Sequence, residues 1–535
     1  MAIETSERAG NLADTLDQMI GSENVLKEHS ERDYISRDLS YLPYELADIV
    51  ARPGNTEELA AVVQKAVAEG YAVVPRGGGM SYTLGYTPER KNTVSIDFSR
   101  MDKIVEINTE DMYVIVEVGC TWKDLYETLK KHNVRTPYYG PLSGMYATVG
   151  GAVSQNSVYM GGGEFETAAD SVIGLEVVLA NGQILRTGSW VHRNSNPHFR
   201  HFGPNLSGIF TADTGAFGLK ARVALKLITL PAVTETMSFA FDSLETMFSA
   251  QIELARYRIA AETYGFDPYY NAAFEKLGFE FKEGVTTLRD IATKGGLSLA
   301  NLLKSLKVAA AGKKVLRDVQ YSLHVTFNGH DEVMARAKLK LGREICLRHQ
   351  GREIDNSIPI VFSTKPFDFA GTIILGHDGE IWLPIHGFVP LSKAIPLAQA
   401  VEKLFADNSE LMEKHDIRTS YLTCLSGTDF LIEPSFYWYD EIQKFRLDRV
   451  SPANQERWKD RKPNLEARKV ALDLRDQLRD VFFDFGASHL QIGRYYKYRE
   501  AIENEPFWTL LETLKSNLDP DNLINPGSLG LDTNR

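Results

Sequence analysis

The sequence predicts an α+β protein of two domains, and three observations carry that reading. Short β-branched and aromatic runs alternate with amphipathic stretches of helical spacing, and neither period persists for long. Glycines gather in three clusters within the first 231 residues, each bordering such a run. Past about residue 235 the composition shifts to strands separated by longer, charged helices. A chain of 535 residues also exceeds one ordinary core, for which roughly two to four domains is the prior.

The elements follow in order. Residues 11–29 read as a helix, with Leu12, Leu16, Ile20 and Val25 at nearly helical spacing. Asn55 or Thr56 caps a helix over 57–69, Gly70 stops it, and YAVVP is a short buried strand that ends at three glycines. Strands are expected at 92–98, 103–108 and 113–119, followed by an amphipathic helix over 121–132 with Leu125 and Leu129 on one face. Asn181-Gly182 is the turn of a hairpin in GLEVVLANGQILRTG, and a strand run closes the region at 210–231. Beyond it, strands at 321–329 and 379–390 alternate with helices at 331–349 and 391–406. Helices at 464–484 and 506–516 then precede an ordered Asn525-Pro526-Gly527 turn. The predicted domains are a helical segment at 1–41, a first domain at 42–232, a second at 233–475, and a C-terminal segment at 476–535 that returns to the first.

Composition excludes several classes. The net charge of −12 argues against a nucleic-acid binder, which needs a basic face. Cys120, Cys346 and Cys424 lie far apart and form no C-x-x-C, which fits a reducing compartment. The acidic, amphipathic N-terminus lacks the features of a signal peptide, and no run of about 18 apolar residues exists. A cytoplasmic protein is the expectation. The stretch 293–319 mixes Leu297, Leu299, Leu302, Leu303 and Leu306 with Lys304, Lys307, Lys313, Lys314 and Arg317, so it either docks on an anionic membrane or partner, or packs as an ordinary helix.

Why would VVPRGGGMSYTLGY place three glycines after a strand? Consecutive glycines lose much entropy on folding, so they mark a sharp bend or a close approach, and bare N–H groups suit a phosphate. The residues themselves leave a bare turn and a phosphate cradle both open, because neither the P-loop nor the G-x-G-x-x-G spacing is present.

The order of motifs narrows this. PRGGGMS, then PLSG-x4-TVGGAVSQN, then GGGEFETAADSVIGLEVVLANGQILRTG, then IFTADTGAFGLKARVALKLITLP resembles the FAD-binding domain of the vanillyl-alcohol oxidase/p-cresol methylhydroxylase superfamily, collinearly over about 42–231. The late NLINPGSLGL is similar to that family's closing motif. The resemblance implies a p-cresol methylhydroxylase-type FAD domain with an α+β cap domain. It implies cofactor contacts at Pro75, Arg76, Gly77, Gly78, Gly79, Met80, Ser81, Pro141, Thr148, Gly150, Gly151, Ser154, Gln155, Gly162, Gly218 and Asn525, so that all three glycine clusters feed one place. Relatives attach flavin through a histidine where this chain has Met80, or in a segment resembling LIEPSFYWYD, which has none. Noncovalent FAD is therefore expected.

Two branches of that superfamily fit. Tyr82 stands where phenol-oxidising relatives keep a tyrosine, GEIWLPI looks like their strand over the flavin, and ASHLQIGRYY is similar to their R-T-H-L segment, although Ala487 replaces its arginine and their aspartate beside flavin N5 is missing at Ser154 and Gln155. The hydroxy-acid branch carries a metal-binding histidine motif. Here His377 and His386 lie nine residues apart and the later Glu is absent, so no metal is expected. The candidate catalytic set is Tyr82, His386, His489, Arg494, Tyr495 and Tyr496, with Arg494 suited to hold a carboxylate. Glu433 is an acid within an aromatic run that is either buried with a raised pKa or facing solvent. The implied function is hydride transfer from an aromatic alcohol or para-substituted phenol to FAD. The alternative is a 2-hydroxy-acid dehydrogenase passing electrons to a quinone or cytochrome. The expected partners are a small-molecule substrate, oxygen or a redox acceptor, and a second copy in a homodimer.

Overall fold

The computed structural model describes residues 7–277, 319–367 and 374–531, so the basic amphipathic stretch lies outside the described residues up to position 318. The chain divides into two compact units. The first comprises residues 1–158, 167–230 and 489–535; the second comprises 159–166 and 231–488. The chain thus leaves the first unit for eight residues and returns, an excursion that the sequence does not announce.

In the first unit the expected helix over 11–29 is cut short. It runs Glu7–Ile20, Gly21 turns the backbone at φ +88°, and a second helix begins at His29. Strands β1 (Val25–Leu26), β2 (Ile49–Ala51), β3 (Ala72–Arg76) and β4 (Thr93–Asp97) form a sheet of order β1-β2-β4-β3, parallel across β2, β4 and β3. The crossover between β2 and β3 is the Thr56–Ala68 helix, capped where Asn55 Oδ1 accepts the Glu58 N–H. Its Leu59, Val62, Val63 and Ala66 are buried.

An antiparallel sheet follows, of order β5-β6-β10-β8-β9, built from Ile104–Asn108, Tyr113–Glu117, Leu219–Lys226, Val172–Val178 and Ile184–Arg186 in that order. The small pair β7 (Val134–Arg135) and β11 (Ile228–Thr229) completes the unit's pairing among the described residues. Gly182, at φ +80°, makes the β8–β9 turn that Asn181-Gly182 predicts.

The second unit is one eight-stranded antiparallel sheet: β12 (Val233–Phe241), β13 (Glu262–Phe266), β14 (Tyr321–Gly329), β15 (Arg352–Ile354), β16 (Ile381–Pro384), β17 (Gly387–Pro390), β18 (Arg418–Ser426) and β19 (Asp429–Trp438). Its order is β15-β12-β14-β13-β18-β19-β16, with β17 also on β19. The strand expected over 379–390 is therefore two strands, both paired to β19 and broken at Ile385-His386.

Register sorts the sheet's side chains onto two faces, because directly opposed residues share a face. One face is apolar and carries Phe239, Leu323, Val325, Phe327, Phe430, Ile432 and Phe436. Phe248 of the Leu244–Tyr257 helix packs on Phe430 at 4.8 Å, and Gly342 of the Glu332–Arg348 helix lets that helix close on Phe327. The other face is also buried but polar: Ser238, Ser322, His324, Tyr264, Ser420, Cys424, Glu433, Ser435 and Tyr437.

Candidate functional site

The glycine loop lies in the first unit. After β3, residues 77–79 wedge against residues 146–151, and the fit leaves no room for side chains. A Cβ on Gly78 would stand 1.8 Å from the Tyr146 carbonyl oxygen, and one on Gly77 would stand 2.3 Å from Thr148 Oγ1. Thr148 caps the Val149–Gln155 helix by accepting the Gly151 N–H at 3.3 Å. Gly150 lets that helix close on Val118, where a Cβ would meet the Val118 Cβ at 2.5 Å. Pro141 opens the tight turn that leads in, accepting the Gly144 N–H. Pro75 packs under Gly215, whose Cβ would meet its ring at 2.9 Å.

Several predicted cofactor residues have side chains engaged within the protein. The Arg76 guanidinium donates to the carbonyls of Ile35 and Arg37 and lies over Tyr86, so only its main chain belongs to the loop. Ser154 Oγ donates to the Gly150 carbonyl one turn back. Ser81 turns its hydroxyl to Thr83 at 3.2 Å, and Met80 precedes it, half-buried. Gly218 stands at the start of β10, where a Cβ would strike Val177 at 2.7 Å, which is a packing role between strands.

Gly162 is held by partners of its own. Gly161–Gly163 belong to the second unit: Gly161 N–H donates to Glu262, Gly162 accepts from the Gly427 N–H, and Gly163 N–H donates to the Ala261 carbonyl. A Cβ on Gly163 would stand 2.3 Å from the Ala260 carbonyl oxygen, so close backbone approach between segments explains this cluster.

The C-terminal segment brings in Gln491, which the motifs do not single out, beside the expected Arg494 and Asn525. The Gln491 N–H donates to the Gln155 carbonyl at 2.8 Å, Gly493 N–H to Thr214, and Arg494 N–H to the Thr83 carbonyl at 3.0 Å. Asn525 Nδ2 donates to the carbonyls of Gly85 and Thr214. Three amide oxygens, of Gln155, Gln491 and Asn525, are buried here without a hydrogen-bond partner among the described residues. A buried acceptor left unmade costs roughly 1–3 kcal/mol, so three of them on adjoining segments suit a ligand that brings N–H and O–H donors. FAD does so through its ring imide, adenine amine and sugar hydroxyls, and the side-chain-free loop offers backbone N–H groups for its pyrophosphate. The residues present fit that cofactor. Gln491 carries no sequence signal beyond its place in ASHLQIGRYY.

Of the six candidate catalytic residues, five lie on two adjoining segments of this unit. Tyr82 precedes Thr83, which accepts from Arg494, while His489 stacks on Tyr496 at 3.7 Å and 10° and Tyr496 meets Tyr495 edge-on at 5.5 Å. Arg494 donates through Nη2 to the carbonyl and hydroxyl of Thr87, and its Nη1 is buried without a partner among the described residues. Burial holds its pKa below the usual range, opposed by Glu89 and Asp38.

His386 lies in the second unit, 1% exposed, in the strand break beside Pro434, whose carbonyl accepts the Ile385 N–H. The polar face of the sheet surrounds the acid next to it. Glu433 is 6% exposed, and its Oε2 accepts the Tyr159 hydroxyl at 3.0 Å. Burial pushes its carboxyl up to about 8, offset in part by the Tyr159 hydrogen bond. Aromatic rings line the same face: Tyr264 stacks on Phe362 at 5.0 Å, and Phe266 on Tyr270 at 5.4 Å. His324 sits between the hydroxyls of Ser238 and Ser322 at 2.8 and 2.9 Å, and burial lowers it to about 3. His377, Asp378 and Glu380 form a cluster of metal-ligand types, but Glu380 already accepts from Arg418 and Tyr439, so its carboxylate is committed to a cation within the protein. No helix among the described residues is long and apolar enough to cross a membrane.

Residues 47–188 match the family described as FAD binding domain. The glycolate oxidase subunit GlcD of Bacillus subtilis is 27% identical over 256 residues, 48% of this chain and 53% of that protein, so the chain matches about half the length of that curated relative. Among solved structures, p-cresol methylhydroxylase with substrate bound is similar at a TM-score of 0.72 and 18% identity, covering 99% of this chain and 98% of that one. The 4-ethylphenol oxidase from Gulosibacter chungangensis is similar at 0.69 and 18% identity, covering 98% and 97%. These structural likenesses are of fold.

Proposed function

We propose, from the premise that residues 47–188 form a FAD binding domain, that this chain is a FAD-dependent oxidoreductase acting on an aromatic alcohol or para-substituted phenol. When bound, FAD supplies the hydride acceptor for a substrate C–H. Gly77–Gly79, Thr148, Gly150, Gln155, Gln491 and Asn525 hold it without a covalent link, since neither Met80 nor the 431–440 segment offers a histidine.

The observation that carries the substrate reading is the buried polar face of the second unit's sheet. Its central register positions hold tyrosines, hydroxyls, the Glu433 carboxyl and His324, which burial keeps neutral, with no lysine or arginine; its two arginines, Arg352 and Arg418, stand at exposed ends. Such a face favours a neutral aromatic molecule with a hydroxyl and offers nothing to pair with a buried carboxylate. In the first unit, His489, Tyr496 and Tyr495 form a ring cluster of their own.

One observation favours a second reading. Arg494 has a spare buried Nη1, which suits a carboxylate, and the sequence relative is a glycolate oxidase subunit. The test is an absorbance spectrum before and after acid precipitation, then anaerobic addition of substrates. Yellow colour released to the supernatant, and bleaching by para-hydroxybenzyl alcohols, are the expected results. Colour held in the pellet overturns the noncovalent assignment, and bleaching by lactate or another 2-hydroxy acid instead overturns the substrate class. The acceptor for the reduced cofactor, oxygen or a redox partner, follows from whether the bleached enzyme recolours in air.

A further inference from the structure

We propose that residues 189–206, a loop of the first unit, dock this protein on an anionic lipid surface, with Phe199 and Phe202 as the inserted side chains. The docking role holds whichever substrate the protein takes.

Four apolar side chains of this loop stand in solvent: Val191 is 51% exposed, Phe199 51%, Phe202 52% and Leu206 48%. They are held in place by a closed base. The buried Ser189 accepts the His198 and Phe199 N–H groups on its Oγ at 3.0 and 3.1 Å, and its hydroxyl donates to the Asn196 carbonyl at 2.9 Å. Its own N–H donates to the Phe199 carbonyl at 2.8 Å. Arg200 fixes the next stretch, donating to the Ala169 carbonyl and to Asn205 Oδ1. Rings then join the two arms: Phe202 meets His192 edge-on at 5.9 Å, and Phe199 meets His201 at 6.0 Å. Water disfavours exposed aromatic surface, and a loop whose rings are already fixed spends little entropy when it buries them.

Charge selects the surface. The chain carries 71 acidic residues and a net charge of −12, yet no Asp or Glu falls between Glu176 and Asp213. Carboxylates on the loop would be repelled by lipid phosphates, and there are none. Arg193 is exposed and makes no ion pair among the described residues, so it is available to a phosphate. Salt confines repulsion from the acidic remainder of the protein to about 10 Å, so an acid-free tip approaches an anionic surface largely on its own terms. Exposed phenylalanines beside a cation are the composition of an interfacial anchor. A specific protein interface takes roughly 20–30 residues a side, more than this loop offers, whereas a lipid surface needs no matching shape.

The test is co-sedimentation of the full chain with vesicles of phosphatidylcholine alone and of phosphatidylcholine mixed with phosphatidylserine. The protein is expected in the pellet with the mixed vesicles, and added salt releases it. Phe199→Ser and Phe202→Ser each lower the partition coefficient about 10-fold. Arg193→Gln lowers it about 5-fold. All three variants keep the wild-type melting temperature, because the altered side chains are exposed. Phe507→Ser, exposed on the Glu505–Leu518 helix, is the control and leaves vesicle binding unchanged. Wild-type protein that stays in the supernatant, or pelleting that survives both phenylalanine changes, overturns the proposal. Binding to polyglutamate in place of vesicles overturns the lipid surface in favour of an acidic protein partner.

Discussion

The backbone N–H of Gln491 donates to the carbonyl of Gln155 at 2.8 Å, and both side chains end in a buried amide oxygen with no partner among the described residues. This joins the end of the glycine helix to a segment 336 positions later in the chain. It makes a prediction with opposite signs in two states. In Gln155→Leu, FAD dissociates about 5- to 150-fold more readily, equivalent to roughly 1–3 kcal/mol for a lost buried hydrogen bond. In the FAD-free protein the same change is neutral or raises the melting temperature, because it removes an unsatisfied acceptor. Flavin retention on dialysis and melting curves with and without FAD check both halves.

Gly78→Ala places a carbon 1.8 Å from the Tyr146 carbonyl oxygen, a conflict of backbone with backbone. The expected outcome is a loss of at least about 3 kcal/mol of stability, with FAD retention lost as the loop is displaced. Gly10→Ala is the control. Gly10 lies within the Glu7–Ile20 helix with nothing within 4 Å of an added Cβ, so alanine there stabilises by about 0.5–1 kcal/mol. Denaturant midpoints of the two variants should move in opposite directions.

Glu433 also links stability to pH. Its carboxyl stays protonated in the fold up to about 8, whereas the unfolded chain ionises it near 4.5. Between these values the folded state binds the extra proton, so this group lowers stability as pH rises, by up to about 1.4 kcal/mol per pH unit. Asp267, raised to about 7 by burial, acts in the same direction. Glu433→Gln is therefore more stable than wild type at pH 8 and gains less at pH 5, measured by denaturant unfolding at both.

His324 has the opposite sign. Burial between Ser238 and Ser322 lowers it to about 3 from 6.5, so the unfolded chain binds the extra proton between those values. The group's contribution is present above pH 6.5 and is lost as pH falls toward 3. His324→Gln, which preserves hydrogen bonding to the two serines, flattens the acid side of the stability curve; an unchanged acid slope would show that His324 is not the group responsible.

Much of this protein is legible locally. Asn55 and Thr121 start the helices at 56 and 122 because a side-chain oxygen next to orphan N–H groups satisfies them wherever the helix later packs. Asn181-Gly182 makes its turn, and the run 321–329 is a strand to its last residue, because backbone preference and period-two patterning are properties of a few neighbouring residues. The bend at the glycines 77–79 belongs to the same class. Local signals mislead where one residue overrules a pattern, as Gly21 does in dividing the helix expected over 11–29.

The tertiary structure decided the rest, because burial and partner choice are settled by residues far apart in the chain. Gly161–Gly163 look like the other glycine clusters, yet they are explained by the carbonyls of Ala260 and Ala261 and by Glu262 about a hundred positions later. The partners of the Arg76 guanidinium, the carbonyls of Ile35 and Arg37 some forty positions earlier, are likewise a matter of the fold. Whether Glu433 faces solvent or is a buried acid with a raised pKa depends on Tyr159, 274 positions earlier, and on a desolvation that no stretch of LIEPSFYWYD encodes by itself. Sequence by itself determined the glycine turns and helix caps, which are built from short-range backbone geometry; only the fold decided which polar groups lose their water, because burial is set by residues far apart in the chain.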